Sequence, residues 1–231
     1  MKTSNCKFTF GVVSLFPDFV RHVTEYGVVR KAAQNNLITV KSWNPRDYAN
    51  NSHGSIDDSP YGGGNGMLLQ AEPVALAIEA AKQELGTDCK VCYLSPQGKV
   101  LTQKTLTQLS KTNKLILLAG RYEGVDARVI KSHVDFEISI GDYILTGGEL
   151  PAMILIDGIT RMLDGVLHGE FSNTEESFMQ SLLECDHFTR PSVWRGKTVP
   201  EVLLSGDHEK IAKWRKEHAL MKTKNQRPDL L

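Results

Sequence analysis

Apolar and polar residues alternate over Phe8–Leu15, which predicts a strand, and Phe16-Pro17 stops it by opening a helix that runs to about Asn35. A second strand is expected over Leu37–Trp43, followed by a polar, turn-rich segment, Asn44–Gly66. The helical period returns at Glu72–Leu85, with Pro73 in its first turn and Gly86 just past its end. From there the pattern repeats. Strand Lys90–Leu94 ends in the turn Ser95-Pro96-Gln97-Gly98. Thr102 is placed to cap a helix to Ser110, and strand Leu115–Ala119 ends in Gly120-Arg121-Tyr122-Glu123-Gly124. Asp126 starts a short helix, and strand Phe136–Ile140 ends at Gly141.

This is the pattern of an α/β fold with a parallel sheet. Each of the last three strands finishes in a glycine-containing turn. Ligands of open α/β sheets bind outside the carboxyl ends of the strands, so these loops are expected to converge on one site. The loop after the last strand carries two glycine turns, Gly141 and Thr146-Gly147-Gly148. Glu149 and Pro151 then open an apolar helix to Met162, with Pro151 where a lost N–H costs nothing. Such a stretch makes a pocket read by backbone amides; taken alone, an ordinary strand-to-helix connection is the more frequent explanation, and the other strand ends change that balance. Four glycines in Gly62–Gly66 suggest a phosphate cradle, but no Gly-Lys-Ser/Thr follows. A P-loop is excluded, and a lid or ligand-facing loop remains.

Beyond Met162, Asp164–Thr174 is polar and reads as a flexible linker. A helix near Glu175–Leu183, an irregular stretch Asp186–Pro200 and a last helix from Asp207 to about Met221 follow. The expected organisation is a first domain over 1–163, a linker over 164–174 and a small, mostly helical domain over 175–231. A chain of 231 residues suits that division. Its formal net charge is zero, so no global field draws it to nucleic acid. Locally the balance differs: His208–Arg227 holds seven lysines and arginines against two glutamates. That is either a solvated face or a phosphate-contacting patch. No apolar run reaches the roughly 18 residues of a membrane helix. The start, M-K-T-S-N-C-K, passes directly into a strand without a signal core, so a cytoplasmic protein is expected. Four scattered cysteines do not make a disulfide framework. Cys89 and Cys92 stand three apart on a strand and face opposite ways, which excludes a shared metal.

Seven separated motifs, in order, carry a resemblance. They are S-L-F-P from Ser14, P-Y-G-G-G-x-G-M from Pro60, Y-L-S-P-Q-G from Tyr93 and G-R-Y-E-G-x-D-x-R from Gly120. S-I-G-D-Y-x-L-x-G-G-E-L-P-A-M from Ser139, T-R-P from Thr189 and V-P-x-V-L-L-S-G from Val199 complete the set. The chain closely resembles the bacterial tRNA (guanine-37 N1) methyltransferases of the SPOUT superfamily, over nearly its whole length. The resemblance implies S-adenosylmethionine as methyl donor and tRNA as substrate, methylated at N1 of the guanine next to the anticodon. It also implies a deep trefoil knot at the end of the first domain, which general topology rules would exclude. A homodimer with the donor site at its interface is implied as well.

The resemblance assigns residues by position. Tyr93, Leu94, Ser95, Pro96, Gly120, Glu123, Ile140, Gly141, Tyr143, Leu145, Gly147, Gly148 and Pro151 match the donor pocket. Arg161 matches a catalytic arginine, placed to offset negative charge growing on the guanine oxygen. Arg121, Tyr122, Glu184 and His187 match positions facing the substrate. A histidine is a residue type suited to a general base, but a lone one beside an aromatic, as His187 is beside Phe188, is more often structural. Members of the family typically use Mg2+, yet no residues here stand at a nameable metal-ligand spacing.

Three departures matter. The family's linker ends in an aspartate that acts as general base, within T-E-D-S-F; here the stretch is Thr174-Glu175-Glu176-Ser177-Phe178, so Glu176 stands in for it. The family's L-L-D-C is Leu182-Leu183-Glu184-Cys185, and Asp186 replaces a proline. The sequence also stops at R-P-D-L-L, where family members often continue, so a smaller tRNA grip is expected. The changed carboxylates leave open an RNA-binding module with an inactive pocket. A dinucleotide-dependent dehydrogenase would need G-x-G-x-x-G after a strand and an acidic residue about twenty further on, and neither is present.

Overall fold

Phe8, Phe10 and Val12 alternate with Thr9 and Val13 along the first strand, β1 (Phe8–Val13), and both faces of that strand are covered. In the computed structural model, which describes residues 6–50, 54–167, 177–178 and 181–231, β1 lies inside a five-stranded parallel sheet. Its other strands are β2 (Ile38–Trp43), β5 (Val91–Val100), β6 (Lys114–Ala119) and β7 (Phe136–Ser139), in the order β2-β1-β6-β5-β7. The two-residue strands β3 (Asp57–Asp58) and β4 (Leu68–Leu69) form a separate antiparallel pair. β6 reads K-L-I-L-L-A because it is central: Leu115 and Leu117 face one apolar layer, Ile116 and Leu118 the other. Cys92 belongs to the first layer and Cys89 to the second, and no disulfide joins them.

Helices cover both faces. α1 (Pro17–Arg21), α2 (Gly27–Gln34), α4 (Gln103–Leu109) and α6 (Glu149–Thr160) pack on the first layer. α3 (Ala71–Leu85) and α5 (Ala127–His133) pack on the second. The cap foreseen for α4 forms, Thr102 accepting from Thr105 N, and Asp126, expected to start the next helix, caps α5 by accepting from Arg128 N. The single helix expected from Pro17 to Asn35 is instead broken. Tyr26 is extended and Gly27 takes φ +61°, which no helix interior accommodates, so a 3-10 turn over His22–Glu25 separates α1 from α2.

A second difference concerns the turn expected after Leu94. β5 continues to Val100, and both Leu94 and Lys99 lie opposite Ile138 of β7, so the intervening residues bulge out of register. Pro96 has no N–H to give the ladder, and Ser95 Oγ takes the Gln97 N–H at 3.1 Å, which lets the chain leave and rejoin its partner. It rejoins closely: a Cβ on Gly98 would sit 2.5 Å from backbone atoms of Glu137 and Ile138.

The chain divides into two compact units, Met1–Leu167 and His168–Leu231. In the second, the described part of the expected helix 175–183 is not helical; Phe178 and Ser181 take φ +71° and +58°. The stretch expected to be irregular holds a hairpin, β8 (Val193–Trp194) and β9 (Lys197–Thr198), turned by Arg195 and Gly196 with φ +49° and +77°. α7 (Glu201–Leu204) leads to α8 (His208–Gln226), which starts beside Asp207 as expected, is capped by that residue's side chain and is longer than the pattern predicts. On α8 the ring of Trp214 stacks on His218, centroids 4.6 Å apart.

Candidate functional site

The strands of the parallel sheet aim their carboxyl ends at one place. There the segments after Tyr93 of β5, after Ala119 of β6 and after Ser139 of β7 line a single cavity of about 470 Å3. That size suits a nucleoside-bearing molecule. Every residue placed in the donor pocket from the sequence lines it, from Tyr93, Leu94, Ser95 and Pro96 through Gly120 and Glu123 to Ile140, Gly141, Tyr143, Leu145, Gly147, Gly148 and Pro151. Arg121 and Tyr122, expected to face substrate, line it too.

Local chemistry explains the shape. Ser139 Oγ accepts from Gly141 N at 3.1 Å and donates to Gly141 O at 3.0 Å, pinning a glycine whose φ is +144°. Gly148 N donates to Gly120 O at 2.9 Å, and Arg121 and Gly147 form a β-bridge, so the two walls are stitched together. The approach requires glycine: a Cβ on Gly148 would lie 2.7 Å from Ala119 Cα and 3.0 Å from Gly120 N. Tyr93 is buried between the walls, and burial raises its phenol pKa, so it stays a neutral, uncharged wall. The glycine-rich segment also meets the site. Glu123 N donates to Met67 O and Leu69 N to Gly124 O, both at 2.9 Å, and a Cβ on Gly66 would collide with the Glu123 side chain.

Walls of glycine, backbone and apolar side chains, with Glu123 as the exposed carboxylate at the rim, suit a flat base and a cationic or zwitterionic tail. Among the described residues no group of three or more His, Cys, Asp or Glu could hold a metal.

Other expected residues lie elsewhere. Arg161 caps the carboxyl end of α6, about 20 Å along the helix from Gly148 at its amino end, and does not line the cavity. Glu176 lies outside the described residues. Glu184 and His187 sit in the second unit, with His187 Nε2 3.3 Å from Glu184 Oε2. Asp186, the residue that replaces a proline, is hydrogen-bonded by Lys222 Nζ at 2.7 Å, and that bond holds its carboxyl below the usual range. A cavity of about 420 Å3 in the same unit is bordered by His187, Phe188, Arg190, Trp214 and Arg215.

Sequence reasoning missed one group altogether. Behind the cavity wall Glu149 is 1% exposed; Ser14 Oγ donates to its Oε1 at 2.8 Å and Arg121 Nε lies 2.9 Å from its Oε2. A glutamate opening an otherwise apolar helix was the available signal, but it reads first as an ordinary N-terminal helix charge.

Comparison with known proteins places the chain in context. A family model described as tRNA (Guanine-1)-methyltransferase TrmD matches residues 8–231. Among similar proteins is a tRNA (guanine-N(1)-)-methyltransferase of Idiomarina loihiensis, 54% identical over 221 residues, which are 96% of this chain and 88% of the relative. Proteins of the same name from Pasteurella multocida and Escherichia coli are each 52% identical over 96% of this chain, covering 90% and 87% of their own lengths.

Proposed function

The chain belongs to the tRNA (guanine-1)-methyltransferase family, and from that premise we propose that it methylates N1 of guanine 37 in tRNA, with S-adenosylmethionine held in the strand-end cavity. The observation that carries this is the convergence of three motif-bearing loops on one backbone-lined cavity of about 470 Å3. When bound, S-adenosylmethionine supplies a methyl group on a positively charged sulfur, already activated for displacement. The residues of the chain then have to align the acceptor, exclude water and manage one proton. Guanine N1 carries that proton at neutral pH, so a carboxylate must accept it as the nitrogen lone pair forms its bond to carbon. Glu176 is the residue we assign to this step, and Arg161 the cation that offsets charge on the neighbouring oxygen. Glu123 faces donor from the rim of the cavity, Arg121 and Tyr122 face substrate, and Glu184 and His187 contact tRNA from the second unit.

A homodimer with the donor site at its interface accounts for two features. Arg161 is far from the cavity within one chain. Phe19, Ile144, Leu150 and Ile154 are exposed on α1, α6 and the cavity loop, where a monomer gains little from them. The trefoil knot is supported by the path after β7, which leaves the sheet edge, meets the end of β6 at Gly147 and Gly148, and enters α6. The division at 163, the linker and the tRNA-binding second domain complete the proposal, with the basic face of α8 toward phosphate. Cytoplasmic residence follows from the substrate; among the described residues no helix is long and apolar enough to cross a membrane. Mg2+ enters the proposal only through the family resemblance; among the described residues no group of three or more His, Cys, Asp or Glu could hold it.

The test joins a donor titration to a methylation assay on unmodified tRNA carrying guanine or adenine at position 37. Donor binding with methylation of the guanine form alone is expected. Glu176→Gln is expected to bind donor normally and lose about 100-fold in single-turnover transfer, the scale of a general base, while Glu175→Gln costs little. Donor binding without transfer by the unaltered chain would instead support an RNA-binding module with an inactive pocket.

A further inference from the structure

A buried ion pair with no assigned part in methyl transfer lies directly behind the donor cavity. Glu149, in the first turn of α6, is almost wholly enclosed yet does not line the cavity. Its two oxygens meet groups from different strand ends: Ser14 Oγ, just past β1, donates to Oε1 at 2.8 Å, and Arg121 Nε, just past β6, lies 2.9 Å from Oε2. Ser14 Oγ is itself held, accepting from Phe16 N at 2.9 Å. The Arg121 guanidinium lies over the Phe16 ring, 4.6 Å from its centroid, and its Nη1 donates to Thr146 O at 3.1 Å in the loop after β7. Gly147 leaves the gap through which this happens: a Cβ there would overlap Arg121 Nε and sit 2.5 Å from Glu149 Oε2.

Burying two charges is costly, and apolar residues of similar volume usually stabilise a core as well or better. What an apolar cluster would not supply is direction. Arg121 fixes the 120–124 wall both to Thr146 in the 143–148 wall and to Glu149 in the first turn of α6, and Ser14 ties Glu149 to the end of β1. Resting on the donor-pocket reading, we propose that Glu149 is a positioning residue for methyl transfer: with Ser14 and Arg121 it sets the separation of the 120–124 and 143–148 walls, and so the affinity for donor, without touching donor. Loss of its charge leaves Arg121 free to turn outward, taking Thr146 and the 143–148 wall with it.

The experiment measures S-adenosylmethionine affinity by calorimetry, and steady-state KM for donor and for tRNA separately, in Glu149→Gln, Ser14→Ala, Gly141→Val and the double variant Arg121→Gln/Glu149→Gln. Glu149→Gln is expected to weaken donor binding about tenfold and raise the donor KM in step, with the tRNA KM changed by less than about twofold. Ser14→Ala, which keeps both charges, is expected to weaken donor about threefold and decides the matter if Glu149→Gln does not fold. Because Arg121 acts through Glu149, the double variant is expected to bind donor as Glu149→Gln does. A general loss of fold would lower the active fraction and kcat without this split. Donor affinity unchanged in folded Glu149→Gln and Ser14→Ala, while Gly141→Val fails to bind, overturns the positioning role and leaves the pocket standing. Normal affinity in Gly141→Val overturns the pocket reading, and the positioning role with it.

Discussion

Replacing Gly148 with alanine adds one methyl group where the two cavity walls meet backbone to backbone, and its cost follows from what the methyl meets. Gly148 has φ −82°, which alanine adopts freely, so backbone strain contributes nothing. The new Cβ would lie 2.7 Å from Ala119 Cα, 3.0 Å from Gly120 N and 3.1 Å from Ala119 C. All three are backbone atoms at the end of a central strand, without a flexible side chain to yield. Relief requires the 143–148 wall to withdraw by several tenths of an ångström, which overpacks α6 or stretches the Gly148 N to Gly120 O bond of 2.9 Å. Overpacking costs about 1–3 kcal/mol, and weakening the bond adds about 1 kcal/mol. A loss of about 2–4 kcal/mol out of roughly 5–15 leaves the protein folded. For a unit of this size it lowers Tm by about 5–15 °C. Donor affinity falls too, because the moved wall is the wall that donor touches. Thermal melts with and without S-adenosylmethionine measure both effects. Gly196→Ala is the comparison: its Cβ meets nothing within 4 Å, so only its φ of +77° is penalised, at about 1–2 kcal/mol. A Gly148→Ala protein that melts within about 2 °C of the parent and binds donor equally would refute the claim that the two walls are fitted to backbone contact.

Two further outcomes follow from titrating groups away from the cavity. Burial pushes the Cys92 thiol up to about 12 and raises that of Cys89, while Cys6 is only half-buried; a thiol reagent at pH 8 is therefore expected to label Cys6 first and Cys89 and Cys92 only after denaturant is added. Burial alone would raise the Asp135 pKa, but hydrogen bonds from Lys90 Nζ at 2.6 Å and Val91 N at 2.8 Å outweigh it and hold the carboxyl below the usual range. The folded pKa being the lower one, this contribution is complete above the unfolded value near 4 and is lost as pH falls through the folded value. Asp135→Asn is thus expected to cost about 1 kcal/mol in urea melts at pH 7, with the gap closing as pH falls through the lowered folded value.

What the sequence makes legible here depends on how many independent constraints act on a residue. β6 is readable because Leu115, Ile116, Leu117 and Leu118 are each buried, on alternating sides, and a four-residue apolar run between turn signals has few other fates. The cavity is readable for a related reason: the ends of β6 and β7 and the irregular stretch of β5 beside them lie on the same edge of a parallel sheet whatever the details of the loops. The segment Ser95–Gly98 defeats the same logic. Its residues are those of a turn, and only the neighbouring β7, out of sight in the local pattern, draws the chain back into the sheet at Lys99. Tyr26-Gly27 hides a helix break because hydrophobic positions on both sides keep a helical spacing. Glu149 is the instructive case. Locally it is one more acidic residue at a helix start, where the helix dipole favours it for about 0.3–1 kcal/mol. Its partners, Ser14 and Arg121, are 135 and 28 positions away, and nothing in the spacing of three polar side chains says that they will meet. Yet S-L-F-P, G-R-Y-E-G and T-G-G-E-L-P are separate motifs in sequence and one object in space: Ser14 and Phe16 from the first, Arg121 from the second, Thr146 and Glu149 from the third. Residues that recognise a ligand have to be matched to that ligand, whereas residues that hold a wall have to be matched to each other. The first requirement leaves a recognisable local string. The second leaves a set of distant positions whose only common property is the contact itself.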